Sequence, residues 1–120
     1  MINLSNLASS YAAAWTAHDA FVLAAHFEPT GHLVVNGEAA TSPKAIADVA
    51  EGFFTLLPDL HYMADDTRTA GQEMLQSWTL YGHHKDTNIF TKLNGWTTWD
   101  VSKGGKIQIA QMFFDSKELG

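Results

Sequence analysis

Apolar residues recur with a period of two along the last third of the chain, and this pattern predicts three long β-strands. The runs lie at residues 71–84, 88–101 and 106–115, and the turn segment SKGG separates the last two. Alternation of this kind places successive side chains on opposite faces of a sheet. Strands of this length in a small chain twist strongly, so we expect a curved sheet that organises the rest of the molecule.

Apolar positions in the first half of the chain follow helical spacing instead. Residues 5–17 carry one apolar stripe, formed by Leu7, Tyr11, Ala14 and Trp15. A second, short helix is predicted over residues 19–26, because Asp19 is a good N-cap residue and Pro29 and Gly31 follow. Ser42-Pro43 is expected to begin a third helix, which ends at Pro58.

Shorter strands complete the predicted sheet. Residues 32–35 form one, with Asn36-Gly37 as a type I′ hairpin turn, and residues 60–70 form another. Internal repeats, linkers and low-complexity segments are absent, so residues 1–120 are expected to form a single domain. The predicted class is α+β, with three N-terminal helices packed on one face of a mostly antiparallel sheet that encloses a pocket.

Composition narrows the classes of partner. The chain has 120 residues, no cysteine and a formal charge of −6, and its seven basic residues are scattered. A nucleic-acid interface needs a contiguous basic surface, and nucleotide cofactors need glycine-rich phosphate motifs, so we expect neither partner. The six histidines lack metal-ligand spacing, and no apolar run reaches transmembrane length. We therefore expect a cytoplasmic protein that uses no metal or cofactor and binds no membrane.

The last strand is apolar on both of its faces. An antiparallel strand with one face in water should alternate apolar and polar residues, so both faces of this strand are expected to be covered. Helices and the pocket cover one face, and a second subunit of a homodimer is expected to cover the other. Another part of the chain folded over that face is the alternative.

Several short motifs, in order along the chain, carry a resemblance to a known family. They are Pro58-Asp59-Leu60, the strand WTLYGHH at residues 78–84, and GKI at residues 105–107 leading to Phe113-Phe114-Asp115. With the order of helices and strands, they resemble the SnoaL-like polyketide cyclases of the nuclear-transport-factor-2-like superfamily. The resemblance covers nearly the whole chain. It implies a cone-shaped fold with a strongly curved mixed sheet, a deep pocket and dimerisation.

The same resemblance implies candidate site residues. Asp115 matches the position that supplies the acid or base in the cyclases, and His84 is placed to orient or share its proton. Phe113 and Phe114 would desolvate that carboxylate and raise its pKa towards a useful range. The residues expected to line the pocket are Tyr11, Trp15, Asn36, Phe53, Leu57, Trp78, Thr97, Trp99 and Met112.

Related mechanisms in the superfamily fit less well. The steroid isomerases use two aspartates, and the corresponding positions here hold Val35 and Thr97, which cannot do their chemistry. Epoxide hydrolysis in this superfamily uses two aspartates bridged by an arginine, and the only candidates for that group here are Arg68 and Asp66. Two functions therefore stay open. One is a cofactor-independent cyclase or isomerase acting on a small apolar carbonyl compound by general acid–base catalysis, and the other is a non-catalytic domain for hydrophobic-ligand binding or dimerisation.

Overall fold

The computed structural model describes residues 4–119, in which three α-helices and six β-strands alternate with short turns. In chain order they are α1 Leu4–Thr16, α2 Ala20–Ala25, β1 Phe27–Val35, β2 Glu38–Ala40, α3 Pro43–Leu56, β3 His61–Ala70, β4 Glu73–His83, β5 Phe90–Val101, β6 Ile107–Phe114 and a terminal 3-10 turn, η1, Ser116–Leu119. The predicted α+β class is confirmed. None of the helices in this range has the length and apolar character needed to span a membrane.

The six strands form one mixed sheet that is not closed, in the order β2-β1-β6-β5-β4-β3. β1 runs parallel to β6, and every other neighbouring pair is antiparallel. The predicted Asn36-Gly37 turn connects β1 to β2, and both of its residues have the positive φ angles (48° and 90°) of a type I′ turn. The three long strands of the sequence pattern, β4, β5 and β6, therefore lie side by side at the centre of the sheet.

The helices begin where the sequence places its capping residues. Asp19 accepts a hydrogen bond from the backbone N–H of Val22, and Ser42 accepts one from that of Ala45. Pro43 occupies the first turn of α3, where its missing N–H leaves no bond unmade. α1 packs on β3, and α3 packs on α2 and β1, so the helices cover one face of the sheet.

The first strand begins earlier than the sequence pattern predicts. Residues 27–31, expected as a break after the second helix, belong to β1, which runs from Phe27. Phe27 pairs with Ile107, and a bulge separates this pair from the next one at His32. Gly31 makes the irregular stretch possible, since a Cβ there would lie 2.9 Å from two backbone oxygens, those of Glu28 and Ile107.

The long strands bury one face and expose the other. Along β5 every second residue from Thr91 to Val101 is buried, and the intervening residues are partly or fully exposed. The buried set faces the helices, and we call the region where it packs against them the interior. On the outer face Leu75 and Trp96 are 43% and 48% exposed, and Trp96 stacks on Phe113 at 5.5 Å between ring centroids.

Candidate ligand-binding site

Aromatic rings from the first helix and from three strands meet in the interior. Trp15 of α1 stacks on Tyr62 of β3, with 6.0 Å between their centroids, and Tyr62 lies 5.7 Å from Trp78 of β4. Tyr11, one turn before Trp15, packs edge-on against Trp99 of β5 at 5.2 Å. The helical spacing of Tyr11 and Trp15 and the alternation along the strands direct all of these rings inward.

One half of this interior satisfies its own polar groups. The Trp78 indole N–H donates to Thr97 Oγ1 at 2.8 Å, and the Tyr62 hydroxyl donates to Gln76 Oε1 at 2.6 Å. The Gln76 amide in turn donates to Thr67 Oγ1 at 3.1 Å. Buried polar groups normally find partners in this way, because an unpaired one costs about 1–3 kcal/mol. This half therefore acts as a fixed wall.

The other half holds three polar atoms that have no such partner. The Tyr11 hydroxyl and the indole nitrogens of Trp15 and Trp99 are fully buried, and none of them makes a hydrogen bond of ordinary geometry within residues 4–119. All three groups carry a hydrogen to donate. The two indoles face the same phenol, and their weak hydrogen bonding to its oxygen lowers the pKa of Tyr11. Three donors are thus gathered around one point.

Burial dominates the electrostatics of the two interior phenols. Removal from water raises the pKa of Tyr11 well above its usual range, against the smaller opposing effect of Trp15 and Trp99. Burial likewise raises the pKa of Tyr62, and the nearby Tyr11 adds to the rise. Both phenols are therefore neutral hydrogen-bond donors at physiological pH.

Charged side chains are missing from the buried part of the described chain. The buried polar residues between positions 4 and 119, apart from Tyr and Trp, are Gln76, Thr79, Thr91 and Thr97. An apolar environment of this kind penalises an ion, whereas a neutral acceptor atom beside the three donors would give them hydrogen bonds of ordinary geometry. The arrangement can bind and polarise an oxygen, but it offers no buried carboxylate or imidazole to move a proton.

Eight of the nine predicted pocket residues lie in or beside this interior. Seven of them are at most 1% exposed: Tyr11, Trp15, Leu57, Trp78, Thr97, Trp99 and Met112. Phe53 is half-buried, and it packs edge-on against Trp15 at 5.6 Å and against Phe114 at 6.0 Å. Phe114 is also half-buried. These two rings form the partly exposed margin of the interior.

Asn36 and Asp115 lie outside it. Asn36 is exposed in the β1–β2 turn, where its side-chain oxygen accepts a hydrogen bond from the backbone N–H of Phe114. Asp115 is exposed at the end of β6, and its carboxylate accepts a hydrogen bond of 3.0 Å from the backbone N–H of Lys117. Both side chains brace turns at the end of the sheet, and neither meets the three interior donors.

His84 also lies apart, in an open groove of about 530 Å³ at the β4–β5 hairpin. Its Nδ1 accepts a hydrogen bond from the backbone N–H of Asp86. In the same groove Asp59 contacts both the ring and the backbone N–H of His83 at 2.6 Å, and these bonds hold the pKa of that carboxyl below its usual range. The structure thus separates His84 from Asp115 and from the interior.

The sequence interpretation missed Tyr62 and Gln76, which complete the wall of the interior. A signal for Gln76 was present, because it occupies an inward position of β4 between Met74 and Trp78 in the alternating pattern. A polar residue at such a position indicates a buried hydrogen bond. The partner, Tyr62, lies 14 positions earlier on the neighbouring strand, opposite Leu80 and not Gln76, so the bond depends on side chains that reach along the paired strands.

Comparison with solved structures shows that many other proteins share this fold. One solved structure, a hypothetical protein with a ketosteroid isomerase-like fold from Catenulispora acidiphila in complex with trimethylamine, has a TM-score of 0.87 at 19% identity, covering 94% of this chain and 88% of its own. A putative SnoaL-like polyketide cyclase from Shewanella denitrificans has a TM-score of 0.79 at 14% identity, with coverages of 96% and 92%. At these identities the likeness shows the fold alone.

A third neighbour is an epoxide hydrolase/cyclase-like enzyme of pyran ring formation in the polyether salinomycin, with a TM-score of 0.83 at 11% identity and coverages of 95% and 92%. No protein of curated function matches the sequence. The family profile of the SnoaL-like domain matches residues 8–109, which is most of the chain. The chain therefore belongs to the SnoaL-like domain family.

Proposed function

We propose that the interior binds a small, largely apolar molecule through one oxygen atom that accepts hydrogen bonds from Tyr11, Trp15 and Trp99. The observation that carries this proposal is the group of three buried donors around the Tyr11 hydroxyl, none of which makes a hydrogen bond of ordinary geometry. A carbonyl oxygen has two lone pairs and develops further negative charge when it is polarised, so it fits a site that offers donors alone.

The remainder of the interior supports an apolar body for this ligand. Trp78, Leu57 and Met112 are fully buried around it. Aromatic and aliphatic walls with a few fixed polar groups are typical of small-molecule sites. Entry would pass Phe53 and Phe114, because their rings are the partly exposed members of the aromatic cluster. Rotation of these two side chains would open the interior without disturbing the hydrogen-bonded wall.

Binding is favoured over catalysis centred on Asp115. General acid–base chemistry requires the acid within hydrogen-bonding reach of the reacting group. Asp115 instead lies exposed and accepts a backbone hydrogen bond in the terminal turn. The proposed role is therefore that of a binding domain that holds and polarises a carbonyl compound.

A matched pair of ligands tests the proposal directly. We expect 2-decalone, a bicyclic ketone, to quench or shift the tryptophan fluorescence at lower concentration than decalin, the hydrocarbon of nearly the same shape. The ketone oxygen would pair with donors that the hydrocarbon leaves unpaired, so the difference reports on the polar contact alone. Equal affinity for the two compounds would contradict the proposal.

Two variants test whether the difference in affinity between 2-decalone and decalin comes from the Tyr11 hydroxyl. Tyr11→Phe removes one donor and should weaken 2-decalone binding by about threefold to tenfold, the value of one net hydrogen bond, while decalin binding stays unchanged. Asp115→Asn is the matched control, because it changes a polar side chain outside the interior, and we expect it to bind both compounds as the wild type does. A loss in Asp115→Asn with none in Tyr11→Phe would place the site elsewhere.

We also propose that a second copy of the chain covers the outer face of the sheet. The apolar patch there contains the exposed Leu75 and Trp96 and the half-buried Phe113, on three adjacent strands. Sedimentation should show a dimer at tens of micromolar, and Trp96→Glu should dissociate it because the change buries a charge in the apolar interface. Phe21→Glu, at a residue 83% exposed on α2, is the control and should leave the dimer intact. A monomeric wild type would contradict this proposal.

A further inference from the structure

A serine and a histidine form a hydrogen-bonded pair at the surface, between α1 and the end of α2. Ser10 Oγ of α1 lies 2.7 Å from His26 Nε2, and His26 Nδ1 lies 2.8 Å from the backbone oxygen of Val22 in α2. A carbonyl oxygen can only accept, so Nδ1 carries the hydrogen. In the neutral imidazole Nε2 is then unprotonated, and it accepts the hydroxyl hydrogen of Ser10.

The fold holds this pair in place. His26 is the C-cap of α2, and its backbone N–H donates to the carbonyl oxygen of Leu23 at 3.2 Å. Its half-buried ring packs edge-on against Tyr11 at 6.0 Å. Ser10 is exposed, so a reagent in solution can reach its oxygen. A hydroxyl, a base aimed at its proton and a third group that orients the base together form the arrangement of an activated nucleophile.

We propose that Ser10 is a nucleophile that takes an acyl group from small activated esters, with His26 as its base. Ser10 Oγ would bond to the ester carbonyl carbon as its proton passes to His26 Nε2. Collapse of the tetrahedral intermediate breaks the bond to the leaving oxygen. The leaving group departs with that proton or, for an acidic phenol, departs as the phenolate while His26 releases the proton to water. The Val22 carbonyl keeps its hydrogen bond to Nδ1–H throughout and stabilises the charged imidazolium.

Acetylation by p-nitrophenyl acetate, followed by peptide mass spectrometry, tests the assignment. Ser9 is the internal control, because it is exposed on the same helix next to Ser10. We expect Ser10 to be acetylated about a hundredfold faster than Ser9, the lower end of what a positioned base contributes. Equal rates at the two serines, or acetyl found on His26 with none on Ser10, would overturn the proposal.

The base is tested by His26→Asn, whose side-chain amide can still donate to the Val22 carbonyl but has no atom in place of Nε2. Its Ser10 acetylation should fall to the rate of Ser9, while thermal unfolding shows that the fold is kept. An unchanged Ser10 rate in this variant would overturn the role of His26. If the variant fails to fold, the ratio of Ser10 to Ser9 in the wild-type protein still decides the proposal.

Discussion

Gly95→Ala is expected to destabilise the protein by at least about 3 kcal/mol, at the upper end of the cost of overpacking a core. Gly95 lies at the centre of β5, opposite Trp78 of β4 and Phe114 of β6. A Cβ there would lie 2.6 Å from the Trp78 ring and would also meet the backbone oxygen of Phe113. The ring cannot move aside cheaply, because its indole N–H is bonded to Thr97.

Urea unfolding of Gly95→Ala and of Gly52→Ala provides the measurement and its control. Gly52 lies in α3, where an added Cβ would have open space around it and the φ angle is not positive. Its replacement should raise the free energy of unfolding by about 0.5–1 kcal/mol, since alanine favours a helix over glycine. Two variants with the same chemical change should thus move in opposite directions. A Gly95→Ala protein as stable as the wild type would contradict the packing of Trp78 described above.

The sequence predicts those parts of the fold that are determined by residues close together in the chain. The alternation of β4 to β6, the stripe of α1 and the capping residues Asp19 and Ser42 each act within a few positions of the chain. β1 shows where this kind of inference ends. Residues 27–31 carry Pro29 and Gly31, which indicate a break, yet the pairing of Phe27 and of residues 32–35 with β6, some eighty positions later, draws them into a strand with a bulge. Such a distant pairing leaves no local pattern to read.

The site was accessible in part for the same reason. Tyr11 and Trp15 share an inward stripe, and Trp99 falls on the inward alternation of β5, so their burial followed from spacing. The sequence could not predict which of their polar atoms make hydrogen bonds, because that depends on side-chain distances across the sheet. The pairing of Trp78 with Thr97 and the isolation of the Tyr11 hydroxyl are decided by such distances.

Alkaline pH is expected to unfold the protein, because Tyr11 and Tyr62 titrate far above the usual range only while they are buried. In the unfolded chain both phenols lose their protons at about pH 10. Below that pH both states keep the protons and the contribution to stability is complete. Above it the unfolded state binds fewer protons than the folded state, so the free energy of unfolding falls by about 1.4 kcal/mol per pH unit for each phenol.

Tyr11→Phe separates this linkage from general effects of high pH. At neutral pH the variant should be at least as stable as the wild type, because it loses a buried hydroxyl that makes no hydrogen bond of ordinary geometry in the free protein. Above about pH 10 its stability should fall more slowly, by the slope of one phenol, so the gap between the two proteins widens as pH rises. Urea unfolding at a series of pH values measures both slopes. Parallel slopes would mean that the Tyr11 hydroxyl ionises as easily in the folded protein as in the unfolded chain. That result would contradict its role as a buried hydrogen-bond donor for a ligand oxygen.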